Sequence, residues 1–116
     1  DVYKRQHIAR ARRLQGMVLA ANGRLDDAVG ALESSVALAA QIGTHPDVWI
    51  ARCSLGQVLL KLGRDREAEE QFMNALRTLE AIANNLHTPG LKKALLASQP
   101  VAELYSALGR RPPIAT

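Results

Sequence analysis

The chain has 116 residues, of which 47% are hydrophobic and only 3% aromatic, and its formal net charge is +4. This length suits one small domain, and a composition rich in Ala and Leu with few β-branched residues predicts an all-α fold. The single cysteine, Cys53, excludes an internal disulfide and a cysteine-based metal cluster. No apolar run approaches the length of about 20 residues that a membrane span needs, so we expect a cytoplasmic protein.

Residues 1–6, Asp-Val-Tyr-Lys-Arg-Gln, match the translation of GATGTGTATAAGAGACAG, the end of a transposon adapter used to prepare DNA for sequencing. The chain also lacks an initiating Met. We therefore expect residues 1–6 to be an adapter-derived artefact, and the natural sequence to begin near His7 as part of a longer protein. The competing interpretation is a real, polar extension of the first helix.

The first predicted helix covers residues 7–22, where apolar side chains recur at helical spacing, and Gly23 ends it. The second covers residues 25–42. Asp26 and Asp27 lie in its first turn, where the helix dipole favours negative charge, and Gly43 ends it.

A helix-start signal follows, with Thr44 as the cap, Pro46 in the first turn and Asp47 three residues after the cap. The third helix extends from this signal to residue 62 and stops at Gly63. We expect Asp65 to cap a fourth helix, whose apolar stripe continues to residue 82 and whose end lies as far as residue 86.

Thr88 and Pro89 begin a short fifth helix that ends near Ser98. A sixth begins at residues 98–100 and ends at Gly109, and the prolines that follow predict a frayed tail over residues 112–116. Six helices separated by short turns predict a stack of helical hairpins.

Two stretches of the chain resemble each other at a spacing of 40 residues. The matching residues are Gly16 and Gly56, Val18-Leu19 and Val58-Leu59, Gly23-Arg24 and Gly63-Arg64, and Ala28 and Ala68. A fixed spacing of this kind is typical of stacked repeats, in which each unit buries its apolar face on its neighbour.

The second copy carries a recognisable pattern, Arg52-x-x-Leu55-Gly56-x-x-Leu59 followed by Ala68-x-x-x-Phe72 and Ala75. This pattern resembles the tetratricopeptide repeat (TPR). In that family small residues stand where the two helices of a hairpin touch, and large apolar residues fill the space between hairpins. The first copy matches less closely, since Gln15, Leu32 and Ser35 stand at the places of Leu55, Phe72 and Ala75.

The resemblance implies one TPR-like unit over residues 7–43, a second over residues 44–83, and capping helices over residues 84–111. A 40-residue spacing is similar to that of repeats in large bacterial signalling ATPases and transcriptional activators. The C-terminal third also resembles the end of such multidomain regulators. No G-x-x-x-x-G-K-[ST] phosphate loop is present in this chain, so it offers no residues for an ATPase.

In TPR stacks the first helix of each hairpin lines a groove, and the resemblance maps the groove onto ten positions. These are Arg10, Arg13, Met17, Ala20, Ala21, Ile50, Cys53, Gln57, Leu60 and Lys61. A small apolar surface with basic ends suits an amphipathic helix or a short acidic peptide. Two interpretations stay open at this point: the groove binds a protein or peptide, or it receives preceding repeats of the same chain.

The implied function is a non-catalytic protein-interaction module without cofactor or metal. The alternative is a regulatory C-terminal segment of a multidomain NTPase, cyclase or transcriptional regulator. Cys53 has no histidine nearby in sequence, and His7, His45 and His87 lack metal-ligand spacing. Direct nucleic-acid binding is a weak third candidate, because the basic patch at residues 10–13 lacks interleaved aromatics.

Overall fold

The computed structural model describes residues 1–42 and 46–110, and within these ranges it contains six α-helices and no strand. The helices are α1 (Val2–Ala21), α2 (Leu25–Ala40), α3 (Pro46–Lys61), α4 (Asp65–Asn84), α5 (Pro89–Leu96) and α6 (Gln99–Ala107). The predicted stop at Gly43, the cap at Thr44 and the tail over residues 112–116 lie outside the described residues. None of the helices in the described ranges combines the length and apolarity needed to cross a membrane.

The helices pair into hairpins that stack in chain order. Helix α1 packs along α2, and α3 packs along α4. The two hairpins meet mainly through α2 and α3, with a smaller contact between α1 and α3. Helices α5 and α6 contact each other and pack on α4. The predicted all-α stack of helical repeats is therefore confirmed.

Glycine turns end the first helix of each hairpin in the same way. Gly23 and Gly63 adopt φ values of +80° and +76°, a left-handed conformation that side chains with a Cβ resist. After α1, the Gly23 amide donates to the Ala20 carbonyl at 3.0 Å and the Arg24 amide donates to the Leu19 carbonyl at 2.9 Å. The same pair of bonds closes α3 at Gly63. These bonds satisfy carbonyls that the helix end leaves unpaired.

The same turn also ends α6, where Gly109 has φ +68° and the Arg110 amide donates to the Tyr105 carbonyl at 2.8 Å. On the inner side of α6, Leu104 is buried in the main core and Leu108 is partly buried against it. These two residues place the apolar face of α6 against the core. Helix α6 therefore ends in the same kind of glycine turn as α1 and α3.

The core is built around the contact between a glycine and a large side chain within each hairpin. Phe72 is buried in the core together with five other residues of the second hairpin, namely Leu55, Leu59, Ala68, Ala75 and Leu76. A Cβ placed on Gly56 would lie 2.6 Å from the Phe72 ring, and one on Gly16 would lie 2.6 Å from Leu32 Cγ. Glycine is therefore required at both places for close helix packing.

Ser35 departs from the repeat pattern because it makes a contact that Ala75 cannot make. Its hydroxyl donates to the Ala9 carbonyl of α1 at 2.7 Å, and the side chain is buried. The bond satisfies the hydroxyl inside the core and ties α2 to α1, so the substitution is compatible with the stack.

Two helix starts differ from the sequence prediction. Helix α1 begins at Val2 rather than His7, and the Asp1 side chain accepts a hydrogen bond from the Lys4 amide at 2.8 Å. Asp65 was predicted to cap α4, which is wrong: Asp65 is the first helical residue, and Arg64 occupies the cap position without a side-chain bond. The Arg64 side chain instead forms an ion pair with Glu67 one turn along.

Candidate functional site: a groove between three helices

A groove of about 310 Å³ lies between α1, α3 and α6. Met17 comes from α1, Ile50 and Cys53 from α3, and Pro100 and Glu103 from α6. The remaining lining residues are Arg13, Trp49, Ser54, Gln57, Phe72 and Leu104. Since most of these side chains are apolar or small, the groove is suited to an apolar side chain of a ligand.

A second, wider cleft continues the groove along α3. It is lined by Gln57 and Leu60 of α3 and by several residues of α6, namely Gln99, Ala102, Glu103, Ser106 and Ala107. Gln57 and Glu103 line both spaces. The two spaces therefore form one path beside α3, with α6 as its far wall.

An ion pair joins the helices at one end of the groove. Arg10 Nε of α1 lies 3.0 Å from Asp47 Oδ2 of α3, and the Gln6 amide also donates to Asp47 Oδ2 at 3.4 Å. The Asp47 carboxylate is buried, whereas Arg10 is exposed to a large extent. Arg10 is thus engaged in holding α1 to α3, and the neighbouring Arg13 is the cation that lines the groove.

A family model for the tetratricopeptide repeat matches residues 7–81. The chain belongs to the tetratricopeptide repeat family. No curated protein and no solved structure gave a significant match. TPR units generally mediate protein–protein interaction, and the groove lies against α1 and α3, the first helices of the two TPR hairpins.

The TPR pattern placed ten residues in the groove, and the structure brings half of them together. Arg13, Met17, Ile50, Cys53 and Gln57 line the 310 Å³ space. Leu60 joins Gln57 in the adjoining cleft.

The remaining four positions lie outside these spaces. Arg10 is paired with Asp47, and Ala20 is partly buried against the core. Ala21 and Lys61 are exposed at the C-terminal ends of their helices and line neither space. Lys61, a basic residue of the expected groove, therefore does not belong to either lining, and Arg13 is the basic residue that lines the 310 Å³ space.

Helix α6 supplies a wall that the sequence analysis did not assign to the groove. Glu103 of α6 is not among the ten residues that the TPR pattern places in the groove. It is exposed, but it faces the groove and accepts a hydrogen bond from Gln99 Nε2 at 3.4 Å. The available signal was Gly109-Arg110, which repeats Gly63-Arg64 at a spacing of 46 rather than 40 residues. A search for repeats at one fixed spacing therefore misses the Gly109-Arg110 pair.

Trp49, near the start of α3, is buried in the main core cluster. The structure also places it among the residues that line the groove. Its indole Nε1 has no hydrogen-bond partner among the described residues. Its role is thus to support the groove from the core.

Cys53 is the thiol that lines the groove, and its surroundings suppress its reactivity. Burial, and then the charge of Glu103, raise the pKa of the Cys53 thiol to about 12. Reactive cysteines need the opposite, a lowered pKa beside a cation or a helix N-terminus. The thiol is therefore protonated at neutral pH and acts as a small apolar lining group.

The other polar residues do not form a chemical centre with Cys53. His7 on α1 and His87 between α4 and α5 are exposed and line neither space, and His45 is outside the described residues. Within residues 1–42 and 46–110, no group of three or more His, Cys, Asp or Glu side chains is arranged to hold a metal ion. What the groove offers is shape, apolar surface and two opposite charges.

Proposed function

We propose that this TPR chain is a protein-interaction module that binds an amphipathic helix or a short peptide in the α1–α3–α6 groove. The observation that carries the proposal is the continuous path beside α3, with Arg13 lining one wall and Glu103 the other. An apolar side chain of the ligand is held among Met17, Ile50 and Pro100. An acidic group of the ligand lies near Arg13, and a hydrogen-bond donor or cation lies near Glu103.

The apolar contact supplies most of the affinity in this arrangement. Full burial of one Leu- or Ile-sized side chain contributes about 1.5–3 kcal/mol. Pairing with an exposed charge such as Glu103 contributes about 1 kcal/mol or less. The two charges therefore set the direction of the ligand in the groove, while the apolar residue anchors it.

The Cys53 environment supports a binding role over a catalytic one. A thiol whose pKa lies near 12 is not a nucleophile at neutral pH. We therefore assign it to the lining of the groove.

The test is selection of peptides from a displayed library on the folded protein, followed by affinity measurements on two variants of α1. Met17 and Leu14 are both exposed, at 47% and 56%, but only Met17 lines the groove. Met17→Glu should weaken the selected peptides about tenfold or more, because it places a charge in the apolar contact. Leu14→Glu is the matched control and should leave the affinity unchanged.

Charge reversal tests the direction of the ligand. Arg13→Glu should weaken peptides that carry an acidic residue, and Glu103→Lys should weaken those that carry a basic one. The proposal is refuted if the selected peptides bind the Met17→Glu variant as tightly as the original protein. Failure of the library to yield any peptide that competes for the groove would refute it as well.

A second candidate is a regulatory segment of a multidomain NTPase, cyclase or transcriptional regulator, in which α1 packs on further repeats. The observation that favours it is the exposed apolar side chains of α1, including Leu14 and Val18. Sequencing of genomic DNA on the 5′ side of the codon for His7 tests it. A phosphate-loop motif in the same reading frame would support it, and the same experiment shows whether residues 1–6 are encoded.

A further inference from the structure

A third space extends the path beside α3 to the start of α4. This space, which we name the α4 cleft, has a volume of about 360 Å³. It is lined by Leu60 of α3, by Asp65, Glu69 and Phe72 of α4, and by Ala107 and Leu108 at the end of α6. Leu60 and Ala107 also line the wider cleft described above. The groove, the wider cleft and the α4 cleft therefore form one continuous path.

The α4 cleft combines an apolar lining with exposed carboxylates. Leu60 is 41% exposed although it is apolar, and Asp65 and Glu69 are both exposed. Among the described residues, neither carboxylate is joined to a basic residue by an ion pair. The neighbouring Arg64 pairs with Glu67 instead. The cleft thus leaves apolar area uncovered and negative charge unpaired.

The two repeats differ at the positions of these carboxylates. Asp65 and Glu69 stand 40 positions after Leu25 and Val29. Val29 is 7% exposed in the main core and Leu25 is partly buried against it, in a hairpin on which α3 packs through α2. Because an unpaired carboxylate is costly to bury, Asp65 and Glu69 oppose a similar closure by α6. The acidic residues therefore keep the α4 cleft open where the first hairpin is sealed.

A lysine or arginine side chain matches both features of the α4 cleft. Its aliphatic stem covers apolar surface, while its charged head stays in water at the edge of that surface. At that edge the head donates charge-assisted hydrogen bonds to carboxylates. Arg13 lines the other end of the path, so the path has a basic end and an acidic end.

We propose that the peptide bound in the groove carries a lysine or arginine that occupies the α4 cleft between Asp65 and Glu69. This inference rests on the proposed function, because the groove holds the apolar anchor of the same peptide. From Ile50 in the groove to Leu60 at the α4 cleft, α3 rises about 15 Å. An extended peptide covers that distance in about four or five residues. The partner is therefore a protein segment with a basic residue at that spacing from a large apolar residue.

The probe is a displayed library of short random peptides selected on the folded full chain. Affinities of the selected peptides are measured by fluorescence anisotropy on the original chain, on Met17→Glu and on the double variant Asp65→Asn, Glu69→Gln. The control is the double variant Asp26→Asn, Glu70→Gln. It removes the same charge, and Asp26 lies in the first turn of α2 as Asp65 does in α4, but neither residue lines the path. Circular dichroism checks the folding of each variant.

We expect the selected peptides to carry a lysine or arginine about four or five positions from a large apolar residue. They should bind the Asp65→Asn, Glu69→Gln variant about three- to tenfold more weakly than the original chain, and the control within about twofold of it. Replacement of the basic residue of the peptide by methionine should abolish the difference between the original chain and the first double variant. Added salt should weaken binding to the original chain more than binding to that variant.

The outcomes separate this inference from the groove function. Peptides that lose affinity on Met17→Glu but not on the Asp65→Asn, Glu69→Gln variant would overturn the inference and leave the groove function standing. A difference between the two chains that persists with the methionine peptide would also overturn the inference, because the carboxylates would then act without the cation. Peptides that bind independently of Met17, or a library without binders, would overturn the groove function and this inference with it.

Discussion

Gly56→Ala tests the close contact on which the second hairpin depends. The added Cβ would lie 2.6 Å from Phe72 Cε1, 2.7 Å from Cζ and 3.0 Å from Cδ1, well inside ordinary contact distance. Phe72 is 2% exposed and is packed in the core beside the groove, so the added Cβ forces the ring out of its place in that packing. Overpacking of this kind lowers the free energy of unfolding by about 1–3 kcal/mol. The better helix propensity of Ala raises it by about 1 kcal/mol. We expect the free energy of unfolding to fall by up to about 2 kcal/mol.

Gly30→Ala is the matched control, because Gly30 also lies inside a helix but a Cβ there meets no atom within 4 Å. The free energy of unfolding of this variant should rise by about 0.5–1 kcal/mol, because only the helix propensity changes. The two variants should then differ by about 8 °C in Tm. Urea unfolding followed by circular dichroism measures both free energies. A Gly56→Ala protein as stable as the Gly30→Ala protein would refute the packing explanation.

Three further variants test other contacts. Phe72→Ala should lower the free energy of unfolding by about 3–5 kcal/mol in urea titrations, because it leaves a cavity in the core; a loss below about 1 kcal/mol would contradict the assigned packing. Asp47→Asn weakens the ion pair with Arg10. Because the Arg10 side chain is largely exposed, the free energy of unfolding should fall by about 1 kcal/mol or less, and the decrease should be smaller in high salt. Alkylation of Cys53 by iodoacetamide should be slow at pH 8 and still rising at pH 10, and Glu103→Gln should speed it by lowering the thiol pKa; a plateau near pH 9 would contradict the raised pKa.

The hairpins could be predicted from the sequence because their signals are local. Glycines that end helices, such as Gly23 and Gly63, act through backbone conformation within one turn. The contact between Gly56 and Phe72 also follows a fixed spacing inside one repeat, so the pattern predicts burial without knowledge of the rest of the chain. For this reason the six helices and the residues of the core could be predicted from the sequence.

The start of α4 shows where local signals mislead. Asp65 is a favoured capping residue by type. The turn at Gly63, however, brings Arg64 into the cap position, and its carbonyl accepts from the Ala68 amide at 3.0 Å. Arg24 occupies the same place before α2 and pairs with Asp27 at 2.7 Å. The bonds of the preceding turn therefore decided the helix start, and residue preference did not.

The wall formed by α6 could not be placed by spacing, since the chain between α3 and α6 includes α4, α5 and three connections. What identifies it is the combination of a Gly109 turn with an inner face of Val101 and Leu104. The predicted cap and the observed groove wall are compatible roles for one helix. Its inner residues cover the core, and Glu103 on another face lines the groove.

Helix α1 faces the core on one side and the groove on another. Ala9 and Gly16 are buried in the core, whereas Arg13 and Met17 line the groove. Because neighbouring residues such as Gly16 and Met17 point about 100° apart on a helix, a substitution of Met17 can change the groove without altering the close contact between Gly16 and Leu32. The groove can therefore be tested by substitutions that leave the hairpin packing intact.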